Sequence, residues 1–399
     1  MRAFEPFRLG RRAWECLADR EWPMRLRPWV YERGLVRRGW YYRLRLRNAL
    51  SRRIKVGFGP ILVGENTLGM RKWHIDPIVD AINRSSSRYV GDIFPGEDLS
   101  RFDVVVIVRH FESLSPEVVH RLRERPTRLV YDTADIRVVQ TTSGRRDIYE
   151  DHHALERHYK PFLRSMDALI LASPLQRQDF EDLGIPQVEI ARPVLNRRHR
   201  TSYAHGGPIR LVWQGFPENL TPMQRLHPII GRLREETGLD IRLVYDTSGP
   251  ARDEGPIQYT EWKVHRWERV LVTSDVGVVI KPLDDPFQQR KPPTKVISYM
   301  AAGLPVVCTP SEADRHVIAH GRTGFFAYED REWHACLRAL VTDPSLRQRV
   351  GTNARHHVLE RYRVERIAAD YLQLFDRLLG HLTPAQRTAA TRPPRSTPG

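Results

Sequence analysis

The sequence predicts an α/β chain in which short buried strands alternate with helices, in two successive rounds. Three observations predict it. Apolar, largely β-branched runs such as FDVVVIV (102–108) and VGVVI (276–280) read as strands covered on both faces of a parallel sheet. Loops and helix-like stretches separate these runs, which is the alternation of right-handed βαβ units. The alternation starts near residue 53, breaks over a stretch rich in His, Arg and Gly (192–207), and restarts at Ile209. The expected organisation is a domain over 53–200 and a second over 208–382. A basic, aromatic-rich extension precedes them (1–52). A Pro-, Thr- and Arg-rich tail expected to be disordered follows (383–399). A length of 399 residues suits two domains plus extensions.

The hydrophobic share of 41% suffices for packed cores. The three cysteines (Cys16, Cys308, Cys336) are far apart, odd in number and without metal spacing, so neither a disulfide framework nor a structural metal is expected. No run approaches the ~18 apolar residues of a membrane span, and the N-terminal stretch holds no uninterrupted apolar core of a signal peptide. The expected location is the cytoplasm. The net charge of +16 is uneven. Residues 1–53 carry fifteen Arg against five Asp or Glu, with four of the nine Trp (Trp14, Trp22, Trp29, Trp40). Arg interleaved with Trp and Tyr suits an anionic membrane surface, where rings sit among headgroups and guanidinium groups meet phosphate. It also suits nucleic acid, although no DNA- or RNA-binding motif accompanies it. A leader packed on the body is the plainer alternative.

In the first round, Ile54–Val63 reads as a strand running into a turn whose glycines (Gly57, Gly59, Gly64, Gly69) permit either close approach to a ligand or tight packing. A helix over His74–Asn83 and a strand over Arg88–Ile93 follow. The strand Phe102–Val108 delivers Arg109 and His110 to its carboxyl edge. A helix over Pro116–Glu124 leads to the strand Arg128–Tyr131 and then Asp132-Thr133-Ala134-Asp135. Two carboxylates three apart directly after a strand suit orienting a hydroxyl or taking its proton. The position equally suits an Asp132 that merely caps or turns the chain. Residues Gln140–Asp147 read as a polar loop, and a helix runs from Asp151 to Arg164. The neighbouring His152 and His153 point to different helix faces with no third ligand spaced to join them, so no metal is expected. Met166–Leu171 and Val188–Ala191 complete the strands.

In the second round, Ile209–Trp213 is a strand with Gln214 and Gly215 at its carboxyl end. A helix over Met223–Thr237, a strand over Ile241–Tyr245 and a helix over Trp267–Ser274 follow. The segment Lys281–Gly303, KPLDDPFQQRKPPTKVISYMAAG, organises the rest. It follows the strand 276–280, carries Lys281, Arg290, Lys291 and Lys295 in a Pro-punctuated loop, and enters a helix. Thr294 is placed to cap that helix and Gly303 to stop it. A further strand, Pro305–Cys308, comes next. A loop at a strand's carboxyl end and a helix N-terminus is where phosphates bind in open α/β sheets, because free N–H groups and the helix dipole favour anions. The segment reads as a diphosphate cradle with Lys295 and its neighbours as countercharge, against a solvated basic loop. A helix over Trp333–Val341 follows. A last helix, from Val364 to about Leu382, spaces Ile367, Ala368, Tyr371, Leu374, Phe375 and Leu378 on one buried face.

The stretch KVISYMAAGLPVV (295–307) resembles the donor-site helix of GT-B glycosyltransferases, in particular the family 4 and group 1-like enzymes that use nucleotide sugars. GRTGFF (321–326) resembles the turn after that helix, and LVTDPSLRQRVGTNAR (340–355) the penultimate helices. The similarity is plain over about 208–382 and weaker over 53–200. It implies a GT-B architecture: two Rossmann-like domains facing across a cleft, the C-terminal helix crossing back to the first. It implies transfer of a sugar from a nucleotide-activated donor to an acceptor hydroxyl, with no cofactor or metal, in glycan or cell-surface polysaccharide synthesis. It places donor contacts at Lys281, Arg290, Lys291, Thr294, Lys295, Ser298, Tyr299 and Gly215, with Trp262 near the nucleobase. The acceptor side falls to Asp132, Asp135 or His110, and the acceptor to a glycan or a lipid-linked sugar at the inner membrane face. The chain departs from the pattern in two places. The family's paired glutamates, eight positions apart, fall on Arg290 and Ser298, and no base follows Gly215 to clamp phosphate. Two alternatives therefore stand beside the enzyme: a non-catalytic nucleotide-binding or partner subunit with this fold, and a nucleic-acid-binding protein acting through its leader.

Overall fold

The computed structural model describes residues 51–59, 71–93, 99, 101–108, 119–120, 123–124, 126–134, 138–141, 144–147, 155–203, 207–263 and 266–380. The basic leader, Gly64, Gly69, Arg109, His110, most of the helix expected over 116–124, Asp135, His152, His153 and the tail lie outside these. The described residues fall into two compact units, one of 51–193 together with 364–380, the other of 194–363.

The first unit is built on a six-stranded sheet of β1 (Ile54–Gly59), β2 (Tyr89–Ile93), β3 (Val104–Val108), β4 (Arg128–Asp132), β7 (Ala168–Leu171) and β8 (Gln187–Glu189), in the order β2-β1-β3-β4-β7-β8. All its pairings are parallel. Strand β3 is buried along its whole length, as a run of Val and Ile between two covered faces must be. One face carries α1 (Asp76–Ser85) and the C-terminal helix Val364–Gly380, which share a core with Val56, Phe58, Val104 and Val106. Ile367, Tyr371, Leu374 and Phe375 are the buried face of that helix, and Phe58 meets the rings of Tyr371 and Phe375 edge-on at 5.8 and 6.4 Å. The other face is covered by a cluster around Tyr131, Tyr159 and Phe180, from the segments holding α2 (Lys160–Leu163) and α3 (Gln176–Phe180).

Two local expectations are corrected here. A π-helical turn, Arg71–Ile75, precedes α1, which itself starts at Asp76 with Pro77 in its first turn. Where a polar loop is expected over 140–147, β5 (Val138–Thr141) and β6 (Gly144–Asp147) form an antiparallel pair separate from the main sheet. Its sequence lacks the apolar alternation by which strands announce themselves.

The second unit holds a seven-stranded sheet of β9 (Ile209–Gln214), β10 (Ile241–Thr247), β11 (Arg252–Glu254), β12 (Ile257–Glu261), β13 (Val276–Val279), β14 (Val306–Cys308) and β15 (Phe325–Phe326), in the order β11-β12-β10-β9-β13-β14-β15. Only the edge pair β11–β12 is antiparallel; this charged hairpin was not foreseen. In chain order the helices are α4 (Leu226–Thr237), α5 (Trp267–Val272), α6 (Pro286–Arg290), α7 (Thr294–Ala301), α8 (Glu312–Arg315), α9 (Asp330–Thr342) and α10 (Pro344–Arg361). Helices α4 and α9 and the sheet share a core around Trp213, Tyr245 and Trp333. The loop expected between β13 and α7 holds a turn of helix, α6, capped by the Asp285 carboxylate accepting from Phe287 N–H at 2.8 Å. Helix α7 ends with Gly303 at φ +82°, as its position predicts. At its start the expectation is corrected: Thr294 is the first helical residue, the preceding position is Pro293, and no side chain caps the end.

Candidate functional site

In the second sheet the strand order reverses between β9 and β13. Ligands of open α/β sheets sit outside the carboxyl ends of the strands at such a reversal. Three sequence-predicted features lie there. Gly215 follows β9, Lys281 follows β13 by two residues, and α7 begins the crossover from β13 to β14. The loops at this edge are tied strand to strand. Gly215 N–H donates to Asp246 O at 3.1 Å, and Trp262 N–H to Thr247 O at 2.7 Å. Lys281 N–H donates to Thr309 Oγ1 at 2.8 Å.

Lys295 comes against Gly215. A β-carbon added at Gly215 would stand 3.3 Å from Lys295 Cε and only 2.5 Å from the Trp213 ring, so only glycine lets the three meet. The Lys295 ammonium lies 5.4 Å from the centre of that ring, within reach of the attraction between a cation and an aromatic face. Ser298 lies three residues on, on the same face of α7, half-buried, with its carbonyl accepting from Asn196 Nδ2 at 3.1 Å. The first turn of α7 adds the backbone N–H groups and positive dipole end of any helix start. A cation, a glycine and a helix N-terminus thus share one spot.

Tyr299 has a different place from the one expected. It is fully buried, and its hydroxyl accepts from Gln214 N–H at 2.7 Å. Burial drives its phenol pKa up. Gln214 in turn donates from Nε2 to Asp246 Oδ2 at 2.8 Å and to Trp267 O at 3.0 Å, and Asp246 Oδ1 accepts from Thr260 Oγ1 at 2.8 Å. This network fixes the ends of β9 and β10 from below, so Tyr299 acts on the site by holding Gln214. Asp246 is fully enclosed, and burial raises its carboxyl pKa. In the sequence, Gln214 and Asp246 are simply the polar residues that follow the apolar runs 209–213 and 241–245. The available signal was polar residues closing two adjacent apolar strands.

Lys281 is also corrected. Its Nζ pairs with Asp314 Oδ2 at 2.7 Å and reaches Ser311 Oγ at 3.2 Å, with only 9% of the side chain exposed. It braces the loop after β14 instead of offering charge to a ligand. Arg290 Nη1 donates to Pro286 O at 3.1 Å, and Lys291 Nζ lies 5.3 Å from the Phe287 ring, both at the end of α6. Trp262 is half-buried beyond the end of β12, two strands from β9, about 10 Å along the sheet edge.

In the first unit, Asp132 ends β4 and is 0% exposed. Its Oδ1 accepts from Ala134 N–H at 3.0 Å and from Arg192 Nη2 at 3.2 Å. Its Oδ2 accepts from Tyr371 Oη at 2.9 Å and Arg192 Nη1 at 3.3 Å, and lies 2.9 Å from His74 Nε2. Arg192 also touches His74 directly. Burial works against the ionised form of Asp132, but the Arg192 guanidinium and the His74 imidazole outweigh it and hold the carboxyl far below its usual range. A group so enclosed, and so weakly basic, is unsuited to taking a proton from a substrate. The geometry around Asp132 is that of a buried anchor. Asp132 ties β4 to the C-terminal helix and holds Ala134 at φ +48°. His110 and Asp135 lie outside the described residues. Among the described residues no group of three or more His, Cys, Asp or Glu is placed to hold a metal ion, and no helix is long and apolar enough to cross a membrane.

Residues 242–373, which take in most of the second unit and the first ten residues of the C-terminal helix, match a glycosyl transferase-like family. Sucrose-phosphate synthase from Thermosynechococcus elongatus superposes with a TM-score of 0.60 at 14% identity, over 83% of this chain and 100% of that one. HepE from Anabaena, solved in complex with UDP-glucose, gives 0.53 at 11%, over 81% and 100%. AviGT4, a glycosyltransferase involved in avilamycin A biosynthesis, gives 0.51 at 13%, over 82% and 99%. No curated protein matches the chain. The fold is that of the GT-B glycosyltransferases.

Proposed function

We propose that this protein transfers a sugar from a nucleotide-activated donor to an acceptor hydroxyl, with the diphosphate bound where Lys295 meets Gly215. The observation that carries the reading is this contact at the N-terminus of α7, beside the strand-order reversal. Breaking the bond between sugar and diphosphate leaves negative charge on the departing phosphate. A fixed ammonium and a helix N-terminus stabilise that charge without having to reorganise. Ser298, one turn along, reaches the ribose or sugar; Trp262 stacks on the base; Arg290 and Lys291 supply further positive charge from the α6–α7 loop. His110 or Asp135 orients the acceptor, a role that Asp132 is too enclosed to fill. The acceptor is a glycan or a lipid-linked sugar of a surface polysaccharide. A uridine nucleotide is the first donor to try, since HepE was solved with UDP-glucose.

The test is a thermal-shift series with nucleoside diphosphates and nucleotide sugars on the natural chain and on Lys295→Ala. A ligand at a hundred times its Kd stabilises the fold by about 2.7 kcal/mol. The expected outcome is a raised Tm with one nucleotide, lost in Lys295→Ala, whose own Tm without ligand is unchanged. A shift equal in both proteins would remove Lys295 from the site. Ser in place of the expected carboxylate at 298 favours a second reading, a nucleotide-binding subunit without transfer. Nucleotide binding with neither transfer nor slow donor hydrolysis would select it.

A further inference from the structure

The ends of β14 and β15, helices α8 and α9 and the loop after β13 line an open pocket of about 700 Å³. Its wall includes Pro310, Arg315, His320, Phe326, Tyr328 and Glu332. Leu283, two residues beyond Lys281, completes the wall, and Lys295 and Gly215 are not part of it. The chemistry of the lining is specific. His320 stacks on Phe326, ring centres 5.9 Å apart and planes 21° apart, and the Arg315 guanidinium lies 5.6 Å from the centre of the Phe326 ring. Tyr328 is 55% exposed, one of two large hydrophobic side chains so exposed among the described residues. Phe326 N–H donates to His320 Nδ1 at 3.0 Å. A neutral His320 must then carry its proton on Nε2 and present a donor. Glu332 Oε2 accepts from Tyr328 N–H at 2.7 Å and Glu329 N–H at 3.1 Å. These bonds hold its carboxyl below the usual range, leaving an ionised acceptor with a second oxygen.

The pocket therefore offers an aromatic wall, two donors and one acceptor, with the charges of Arg315 and Glu332 in balance. A nucleotide or phosphorylated ligand would need an excess of positive charge. A pyranose has an apolar C–H face and a rim of hydroxyls that both donate and accept, with no net charge. We propose that this pocket binds a neutral pyranose unit of a glycan, stacked on Tyr328 and hydrogen-bonded by His320, Arg315 and Glu332. Because Pro310 follows β14, the pocket opens at the sheet edge that carries the cradle, but binding there does not depend on transfer.

The test is ligand-observed NMR on the full chain with three neutral probes: cellohexaose, maltohexaose and chitohexaose. The expected result is millimolar-range binding of at least one. Tyr328→Ala should weaken it roughly tenfold, the value of one aromatic contact, and Tyr328→Phe should leave it within about twofold. Nucleotide-induced thermal shifts should be the same in all three proteins, which separates this pocket from the cradle. If Tyr328→Ala does not fold, His320→Asn carries the test: its amide oxygen still accepts from Phe326 N–H while the Nε2 donor is gone, and binding should weaken. Absence of binding by all three probes overturns the proposal. So does binding that is unchanged by Tyr328→Ala, or by His320→Asn where that variant stands in.

Discussion

Asp132→Asn would remove the negative charge between Arg192 and His74 while keeping the shape of the side chain. An arginine left buried without its carboxylate is strongly destabilising, by about 3–5 kcal/mol. Urea unfolding at pH 7 should show that loss. The sign with pH follows from the lowered folded-state pKa. The contribution of Asp132 is complete above the unfolded carboxyl value, about 3.9, and is lost as pH falls through the lower folded value. Below about pH 4 the natural protein should lose stability faster than the variant, and parallel acid curves would count against the ionised anchor. None of this was legible in the sequence. Asp132 sits where an acid after a strand is expected to face a ligand. Its hydrogen-bond partners Arg192 and Tyr371 stand 60 and 239 positions away. Lys281 misled in the same way, since its neutralising Asp314 lies beyond a whole βα unit. Lys295 and Gly215 are 80 positions apart, but each carries a local signal, a helix start after prolines and a glycine directly after an apolar strand.

Helix α7 shows which elements a sequence reveals. Prolines before it, Gly303 after it and apolar strands on both sides leave few other choices. The hairpin at 138–147 shows the opposite case, since GRRD carries no strand signal and only cross-strand pairing makes it one. What holds α7 in place is the close passage of α10. A β-carbon on Gly351 would fall 2.2 Å from Gly303 O, a backbone atom at the end of α7 that has little room to give. Gly351→Ala should therefore push the helices apart at a cost of about 1–3 kcal/mol. Because α7 carries Lys295, nucleotide affinity should drop as well. Thermal melts with and without nucleotide would show both effects, and a melting curve like that of the natural chain would mean that α10 yields without strain.

On the scale of the molecule, the repeated α/β alternation and the break between its two rounds were legible because both sheets are largely parallel and their strands are continuous apolar runs. The charge distribution was equally plain, although its purpose lies in residues 1–52, outside the described part. We propose that this leader docks the protein on anionic membrane, where ~1 kcal/mol per basic residue is available close to the surface. Co-sedimentation with phosphatidylserine vesicles should be lost at high salt and on removal of residues 1–52; retention by the shortened chain would refute the docking role. The C-terminal helix has a consequence of another kind. It supplies Tyr371 to Asp132 and Phe375 to the face of the first sheet, yet it is made after the entire second unit. During synthesis that face of the first sheet has α1 over it but waits for the rest of its cover until residues 364–380 emerge. A product that stops short of them leaves that face only partly covered and Asp132 without one of its donors. The first unit therefore cannot close its core until residues 364–380 have been made.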